Sequence, residues 1–160
     1  MAQIIKPPAP LPATFDSATL FLAGSIELGR ASPWQSRVEA ALAHRMITIL
    51  NPRRDAWDAS WEQAIHNPQF RAQVEWELEA QERADVIAMY FDPATQAPIT
   101  LLELGLFARS GRLVVCCPLD FWRKGNVDVV CARYGIPQAP SLDALIAHAD
   151  AALGRAPNSR

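Results

Sequence analysis

Short apolar runs alternate along this chain with longer segments in which apolar residues recur every three or four positions. The first pattern is typical of buried strands, and the second is typical of helices that pack by one face. The predicted strands are the apolar runs 19–24, 46–50, 85–91 and 112–118, with a weaker fifth near 135–138. The predicted helices are one opened by Ser32-Pro33, then 69–83, one from Pro98 to near Gly111, one near 126–134, and 141–153.

The order strand, helix, strand, helix predicts an α/β fold with a parallel sheet covered on both faces. Right-handed crossovers then give a doubly wound, Rossmann-like sheet of four to five strands. In such folds ligands bind outside the carboxyl ends of the strands, beside the point where the strand order reverses. We therefore expect three loops to meet there, at residues 24–29, 51–61 and 92–98.

Local signals mark several boundaries. Ser32 should cap the first helix with Pro33 at its first position, and Ser141 should cap the last helix. Four prolines within residues 1–17 predict an extended tail outside the sheet. We expect a single domain over residues 18–155, with a polar, tryptophan-containing functional loop at 51–68 that has at most one helical turn.

Composition narrows the classes of partner. Of the 160 residues, 15 are Lys or Arg and 17 are Asp or Glu, a balance that gives no reason to expect nucleic-acid binding. The apolar runs are far shorter than the ~20 residues of a membrane span. The first residues also lack the apolar core of a signal peptide, so we expect a cytoplasmic protein without a membrane partner.

The sequence gives no sign of a metal or cofactor. The chain has three cysteines and three histidines, without the spacing of a disulfide framework or a zinc site. The cysteines are best explained as small buried apolar residues. Neither the dinucleotide fingerprint nor the phosphate-binding lysine motif is present, so we expect a site that uses no cofactor.

Glu103 is the most unusual residue of the chain. It lies in the apolar run Pro98–Ala108, and its neighbours one helical turn away include no cation. A buried carboxylate without a partner is costly, and its pKa rises or it acquires a dedicated polar partner. Carboxylates in such surroundings are candidates for catalysis. The alternative is a residue at the edge of a half-buried helix, facing water.

A second acid, Glu77, lies on the same side of its predicted helix as Phe70 and Val74. Glu75, Glu79 and Glu82 are close in sequence, so an acidic face in water is the alternative. Two carboxylates, one attacking the anomeric carbon and one transferring a proton, suit the cleavage of a glycosidic bond.

Three further features have two interpretations each. Trp57 and Trp61 could offer a flat surface to a base or sugar, or could anchor their own loop. Gly24-Ser25 forms either a plain tight turn or a set of donors facing a ligand. Arg53 and Arg54 either bind a 5′-phosphate, whose geometry suits guanidinium groups, or pair with Asp55 or Asp58 at the surface.

Several of these segments together resemble the nucleoside 2-deoxyribosyltransferases, in particular a divergent bacterial branch of that family. The matching segments are Gly24-Ser25, Asn51–Arg54, Ala84-Asp85, the P-I-x-L-x-E-L-G motif at Pro98–Gly105, and the R-x-G-N-V motif at Arg123–Val127. The resemblance covers roughly residues 19–130. Each motif is weak alone, and their combination is fairly specific.

The resemblance implies a flavodoxin-like sheet and a ping-pong reaction on a small nucleoside or nucleotide and a nucleobase. Glu103 would attack the anomeric carbon and expel the base, and the sugar would then pass to another base or to water. Glu77 would handle the base, and Asn51 and Asp85 join the expected substrate-binding residues. Asn126 would complete the site of a neighbouring subunit in a homo-oligomer.

Two departures from the family pattern bear on the sugar. Where the family usually has Asp or Ser, six residues before its nucleophile, this chain has Ala97, and the family's first-strand tyrosine falls at Leu20 or Phe21. Sugar recognition must therefore differ. Two other functions remain open: an N-glycoside hydrolase that uses the same nucleophile, and a nucleotide-binding module without catalysis.

Overall fold

The structure is a computed structural model that describes residues 1–26, 31–54 and 58–156. These residues form six strands and five helices. The strands are β1 (Gln3–Ile5), β2 (Thr19–Gly24), β3 (Thr48–Leu50), β4 (Val86–Tyr90), β5 (Leu113–Cys116) and β6 (Gln138–Ala139). The helices are α1 (Trp34–Leu42), α2 (Pro68–Arg83), α3 (Pro98–Phe107), α4 (Lys124–Tyr134) and α5 (Leu142–Leu153).

The six strands form one parallel sheet in the order β1-β3-β2-β4-β5-β6. The chain moves from β2 to β3 on one side, then crosses to β4 on the other side of β2. The strand order therefore reverses beside β2, where the carboxyl ends of β2 and β4 leave a crevice. This arrangement confirms the predicted doubly wound α/β fold, with one strand more than expected.

Helices cover both faces of the sheet, because its central strands are almost wholly apolar and need burial on each side. One core lies between the sheet and α2, α3 and α4, and it includes Ala80, Leu104 and Val127. The other lies beneath α1 and α5 and includes Trp34 and Leu145. The three cysteines are buried and free, as predicted.

The sheet begins earlier than predicted. Gln3–Ile5 pairs with β3 at the sheet edge, and Ile5 is buried. The following proline-rich segment, residues 6–15, then crosses the outer side of α2, and we refer to it as the N-terminal strap. Trp76 Nε1 donates to the carbonyl of Ala9 at 2.9 Å, and the Arg83 guanidinium lies 4.6 Å from the ring centre of Phe15.

Smaller differences have local causes. Ser32 does not cap α1, because the helix begins one residue later and Pro33 takes the cap position without a side-chain bond. The backbone N–H of Ser32 donates to the Asp92 carboxylate at 2.7 Å. Ser141 does cap α5, accepting from the Ala144 N–H. β3 is shorter than predicted, and Met46 is exposed. The weak last strand lies slightly later than expected, at β6.

The predicted functional loop at 51–68 has no helical turn in its described parts, residues 51–54 and 58–67. On α2, the most buried residues are Gln73, Ala80 and Gln81. The apolar residues Phe70, Val74 and Leu78, which follow helical spacing in the sequence, are only half-buried. The inward face of this helix is therefore largely polar. Within the described part of the chain, no helix combines the length and apolar character needed to span a membrane.

Candidate active site

The start of the first expected loop, at Gly24 and Ser25, meets the third expected loop beside β2, while residues 27–29 lie outside the described residues. Ser25, directly after β2, accepts a hydrogen bond from the Asp92 N–H at 3.0 Å, and Thr95 Oγ1 lies 2.7 Å from Ser25 Oγ. Gly24 leaves no room for a side chain, since a Cβ there would lie 2.4 Å from the carbonyl oxygen of Tyr90. Gly24 and Ser25 therefore join the loops after β2 and β4 into one rigid floor.

The described start of the loop after β3, residues 51–54, is hydrogen-bonded to α1 and α2. Asn51 Nδ2 donates to Glu39 at 2.6 Å, while Asn51 Oδ1 accepts from the Arg53 N–H at 2.9 Å. The Arg53 guanidinium donates to the buried side chain of Gln35 at 3.3 Å. The loop is thereby fixed at the sheet edge, with the Arg53 side chain held by a buried amide.

Glu103 points inward from α3. It shares the buried side of this helix with Thr100, Leu104 and Phe107, and its side chain is 8% exposed. The helix begins at Pro98 after Ala97, which has a left-handed backbone conformation with φ of 48° and caps the helix without a side-chain bond. The interpretation of Glu103 as an edge residue facing water is therefore wrong.

Glu77 points toward the same interior from α2. The Gln73 side chain, one turn earlier, donates to Glu77 Oε1 at 2.7 Å and to the carbonyl of Pro52 at 3.1 Å. One turn later, Gln81 donates to the backbone carbonyl of Glu77 at 3.2 Å and hydrogen-bonds Glu103. Two glutamines thus hold the two acids in one buried cluster, which excludes the acidic face in water for Glu77.

Burial governs the electrostatics of this pair. It raises the pKa of Glu77 to about 7, although the hydrogen bond from Gln73 opposes the rise. Burial, with the nearby Glu77 charge as the second cause, raises the pKa of Glu103 to about 8. Two adjacent carboxylates disfavour double ionisation, so the pair retains a proton near neutral pH. A site with one proton shared between two acids can supply both a nucleophile and a proton donor.

A cavity of about 360 Å³ lies between the N-terminal strap and the first turns of α2. Gln73 lines this cavity and donates to Glu77, which links the cavity to the two acids. Trp61 lines the cavity with the Arg54 guanidinium 4.9 Å from its ring centre. Its size is within the range of small-molecule sites.

The structure leaves other predicted residues apart from this cluster. Asp85 precedes β4, at the opposite end of the sheet, and its carboxylate accepts from the Thr19 N–H at 2.8 Å. Asn126 is exposed on α4. Trp57 lies outside the described residues, as does Asp55, while the Asp58 carboxylate accepts hydrogen bonds from Ser60.

Gln73 and Gln81 are site residues that the sequence analysis did not identify. Their signal was present in the spacing, since they flank Glu77 at four residues on each side and so lie on its face of the helix. The apolar residues Phe70, Val74 and Leu78 indicated that a neighbouring face of α2 is the buried one. Among the described residues, no cluster of three or more His, Cys, Asp or Glu side chains could hold a metal ion.

Comparison with known proteins shows the family of this chain. The family model described as "Nucleoside 2-deoxyribosyltransferase like" matches residues 17–121, about two thirds of the chain. The chain belongs to this nucleoside 2-deoxyribosyltransferase-like family. A search of curated proteins gave no match.

The family match includes both acids of the site. It extends from just before β2 to beyond β5, so Glu77, Glu103 and the joined loops lie within it, whereas Asn126 lies outside it. Membership indicates an enzyme of deoxyribosyltransferase-like type, with small-molecule nucleosides or nucleobases as substrates.

The burial of Glu103 should make the free energy of unfolding of this protein depend on pH. The pKa of Glu103 is raised above its ordinary value, so the folded protein holds more protons than the unfolded chain between about pH 4.5 and pH 8. The free energy of unfolding should therefore fall as the pH rises through this window. Glu103→Gln should remove this loss and stabilise the fold at pH 9 by roughly 2–4 kcal/mol more than at pH 5.

Urea unfolding of the wild type and Glu103→Gln at both pH values measures this difference. Glu82→Gln is the control, because Glu82 is exposed on α2 and its replacement should not change the pH dependence. Parallel pH profiles for the wild type and Glu103→Gln would show that the Glu103 carboxyl is not buried in the folded protein.

Proposed function

We propose that this protein transfers a 2-deoxyribosyl group between nucleobases through a covalent intermediate on Glu103. The observation that supports this proposal most is the pairing of Glu103 with Glu77 in a buried, glutamine-lined cluster between α2 and α3. Family membership supplies the substrate class. The structure supplies two acids whose raised pKa values keep a proton between them at neutral pH.

In the first half-reaction, a carboxylate oxygen of Glu103 forms a bond to the anomeric carbon. The bond between that carbon and the base nitrogen breaks, and its electron pair leaves with the base. Glu77 gives its proton to the departing base, which avoids the release of an anionic leaving group. In the second half-reaction an incoming base attacks the anomeric carbon, the ester bond to Glu103 breaks, and Glu77 takes a proton from the new base.

The position of the shared proton matters for the attack. Burial raises the pKa of both acids, so either of them can hold this proton in the free protein. A base nitrogen that accepts a hydrogen bond from protonated Glu77 stabilises that form. Because the two acids compete for one proton, the same contact favours ionised Glu103. Binding of the base thus activates the nucleophile.

Hydrolysis is the second candidate function. The residues that could bind the sugar or its 5′-phosphate favour it. Ala97 supplies no side-chain hydrogen bond to a sugar, whereas Arg53 is held at the site by the buried Gln35. Arg53, with Arg54, would then bind a 5′-phosphate, and water would replace the second base as acceptor. A binding module without catalysis would keep the pocket and form no ester.

Trapping of the covalent intermediate tests the nucleophile. Wild type and Glu103→Gln are mixed with 2′-deoxynucleosides and their 5′-monophosphates, and the mass of each intact protein is measured by mass spectrometry. We expect a glycosyl adduct on the wild type alone, and a loss of base release of at least about 10³-fold in Glu103→Gln.

Glu75→Gln is the matched control, since Glu75 lies on the exposed side of α2 in an ion pair with Arg71. Normal turnover by Glu103→Gln would contradict the mechanism. Base exchange as opposed to release of free sugar separates the transferase from the hydrolase. Thermal stabilisation by nucleotides without an adduct or base release would indicate the binding module.

We also propose a homo-oligomer in which Asn126 enters the site of a neighbouring subunit. Its exposure supports this proposal, since Asn126 lies at the surface of α4, which packs on the same core as α3. The outer side of α3 is apolar, with Ile99, Leu102 and Leu106 more than half exposed. An apolar helix face of this kind is typical of subunit contacts.

Subunit complementation tests this arrangement. Glu103→Gln and Asn126→Ala should each be inactive, and a mixture of the two should recover up to about a quarter of wild-type activity if they exchange subunits as dimers. The control mixture is Glu103→Gln with Glu77→Gln/Asn126→Ala, which lacks an intact site in every pairing. A monomeric mass by light scattering at micromolar concentration would contradict the proposal.

A further inference from the structure

One buried acceptor at the cavity beside α2 has no donor within residues 1–26, 31–54 and 58–156. Gln73 is 5% exposed and lines this cavity. No group in these ranges donates a hydrogen bond to its Oε1, which has almost no contact with solvent. An unsatisfied buried carbonyl of this kind costs about 1–3 kcal/mol, and a ligand that donates a hydrogen bond there removes that cost.

The orientation of the Gln73 amide is fixed by its neighbours. Its nitrogen lies 3.1 Å from the carbonyl oxygen of Pro52, which can only accept a hydrogen bond. The same nitrogen donates to Glu77 Oε1 at 2.7 Å. Exchange of the amide oxygen and nitrogen would place two acceptors against each other at Pro52. The group that Gln73 presents without a partner is therefore an acceptor.

We propose that this cavity binds the nucleobase, and that Gln73 Oε1 selects bases with an exocyclic amino group over those with an oxo group. The inference rests on the proposed function, because it places the base atom that Glu77 protonates beside Gln73. In a purine, the ring nitrogen N7 and the substituent at position 6 lie on one edge. In cytosine, N3 and the 4-amino group do the same.

The hydrogen bond between Gln73 and Glu77 makes the two recognition groups neighbours, as the base edge requires. Protonated Glu77 donates to the ring nitrogen, and the adjacent amino group donates to Gln73 Oε1. A 6-oxopurine or uracil would place an oxo oxygen against Oε1, so that two acceptors face each other. A site built for a donor rejects an analogue that lacks it.

The walls of the cavity suit a flat heterocycle. Trp61 and Trp76 contribute indole rings, and Pro7 and Pro8 of the N-terminal strap form the outer side. Trp76 is fixed by its bond to the Ala9 carbonyl. Aromatic rings of this kind stack on bases of any type, so they contribute affinity without discrimination. Selectivity between amino and oxo groups therefore depends on Gln73.

The test compares substrates in which an oxo group replaces the amino group, a change that also adds a hydrogen to N1 of the purine or N3 of the pyrimidine. Base release is measured for 2′-deoxyadenosine against 2′-deoxyinosine and 2′-deoxycytidine against 2′-deoxyuridine, as nucleosides and as 5′-monophosphates. We expect kcat/KM to favour the amino member of each pair about tenfold. Gln73→Met, which keeps the length of the side chain and removes its hydrogen bonds, should bring the two values of the purine pair within about twofold, because N7 is an acceptor in both purines.

Gln138→Met is the control, since Gln138 lies on β6 at the opposite edge of the sheet and should leave the preference unchanged. Binding of adenine and hypoxanthine to Glu103→Gln, measured by calorimetry with and without Gln73→Met, reports on recognition without chemistry. If Gln73→Met does not fold, the inference is tested by turnover of the amino and oxo substrates on the wild type and by binding of the two bases to Glu103→Gln.

Each outcome has one meaning. Turnover without a preference for the amino member, or with a preference that Gln73→Met retains, overturns the inference and leaves the proposed function intact. Absent turnover combined with tighter binding of adenine than hypoxanthine keeps the cavity as a base site and overturns the proposed function. Equal binding of the two bases, or no binding of either, overturns the inference.

Discussion

The burial of Glu103 beside Glu77 is the constraint on which the rest of this site depends. A carboxyl group that enters a protein interior loses its hydration, and it either stays protonated or gains donors. Here both responses are present, since burial raises the pKa of each acid and Gln73 and Gln81 supply hydrogen bonds. The inward face of α2 is polar for this reason, at some cost to stability.

The topology of the sheet explains why this cost falls where it does. The reversal of strand order beside β2 leaves a crevice at the carboxyl ends of β2 and β4. Ser25 and Asp92 bind the two loops at this crevice together, while Gln73 and Gln81 hold the two acids between α2 and α3. Preorganised groups of this kind need little rearrangement when charge develops during the reaction. Substrate recognition then falls to the surrounding loops and the N-terminal strap.

The order of strands and helices was predictable because strands buried on both faces leave continuous apolar runs in the sequence. Glu103 was predictable for the same reason, as the one charge in an apolar helix. β1 was not, because three residues pair with β3 through backbone groups that leave almost no side-chain signal. The burial of Gln73 and Gln81 is a consequence of tertiary packing around Glu77, which the spacing of apolar residues does not encode.

The prediction that Asp85 binds substrate depended on which end of β4 this residue occupies. Asp85 comes before β4, and a residue before a strand lies at the edge of a parallel sheet away from the ligand site. Its carboxylate binds Thr19 there. Ser32 illustrates a different limit, since its N–H pairs with an aspartate sixty residues later in sequence. Local capping rules cannot include a partner of that kind.

The most direct test of this account is a carboxyl carbon-13 titration of glutamate-labelled protein, for the wild type and for Glu77→Gln. The account predicts that the pKa of Glu103 is about 8 in the wild type and falls when Glu77 is replaced. It also predicts that the pKa of Glu77 is about 7. A Glu103 pKa near 4.5, the ordinary value for this side chain, would contradict the central claim, as would one that Glu77→Gln leaves unchanged.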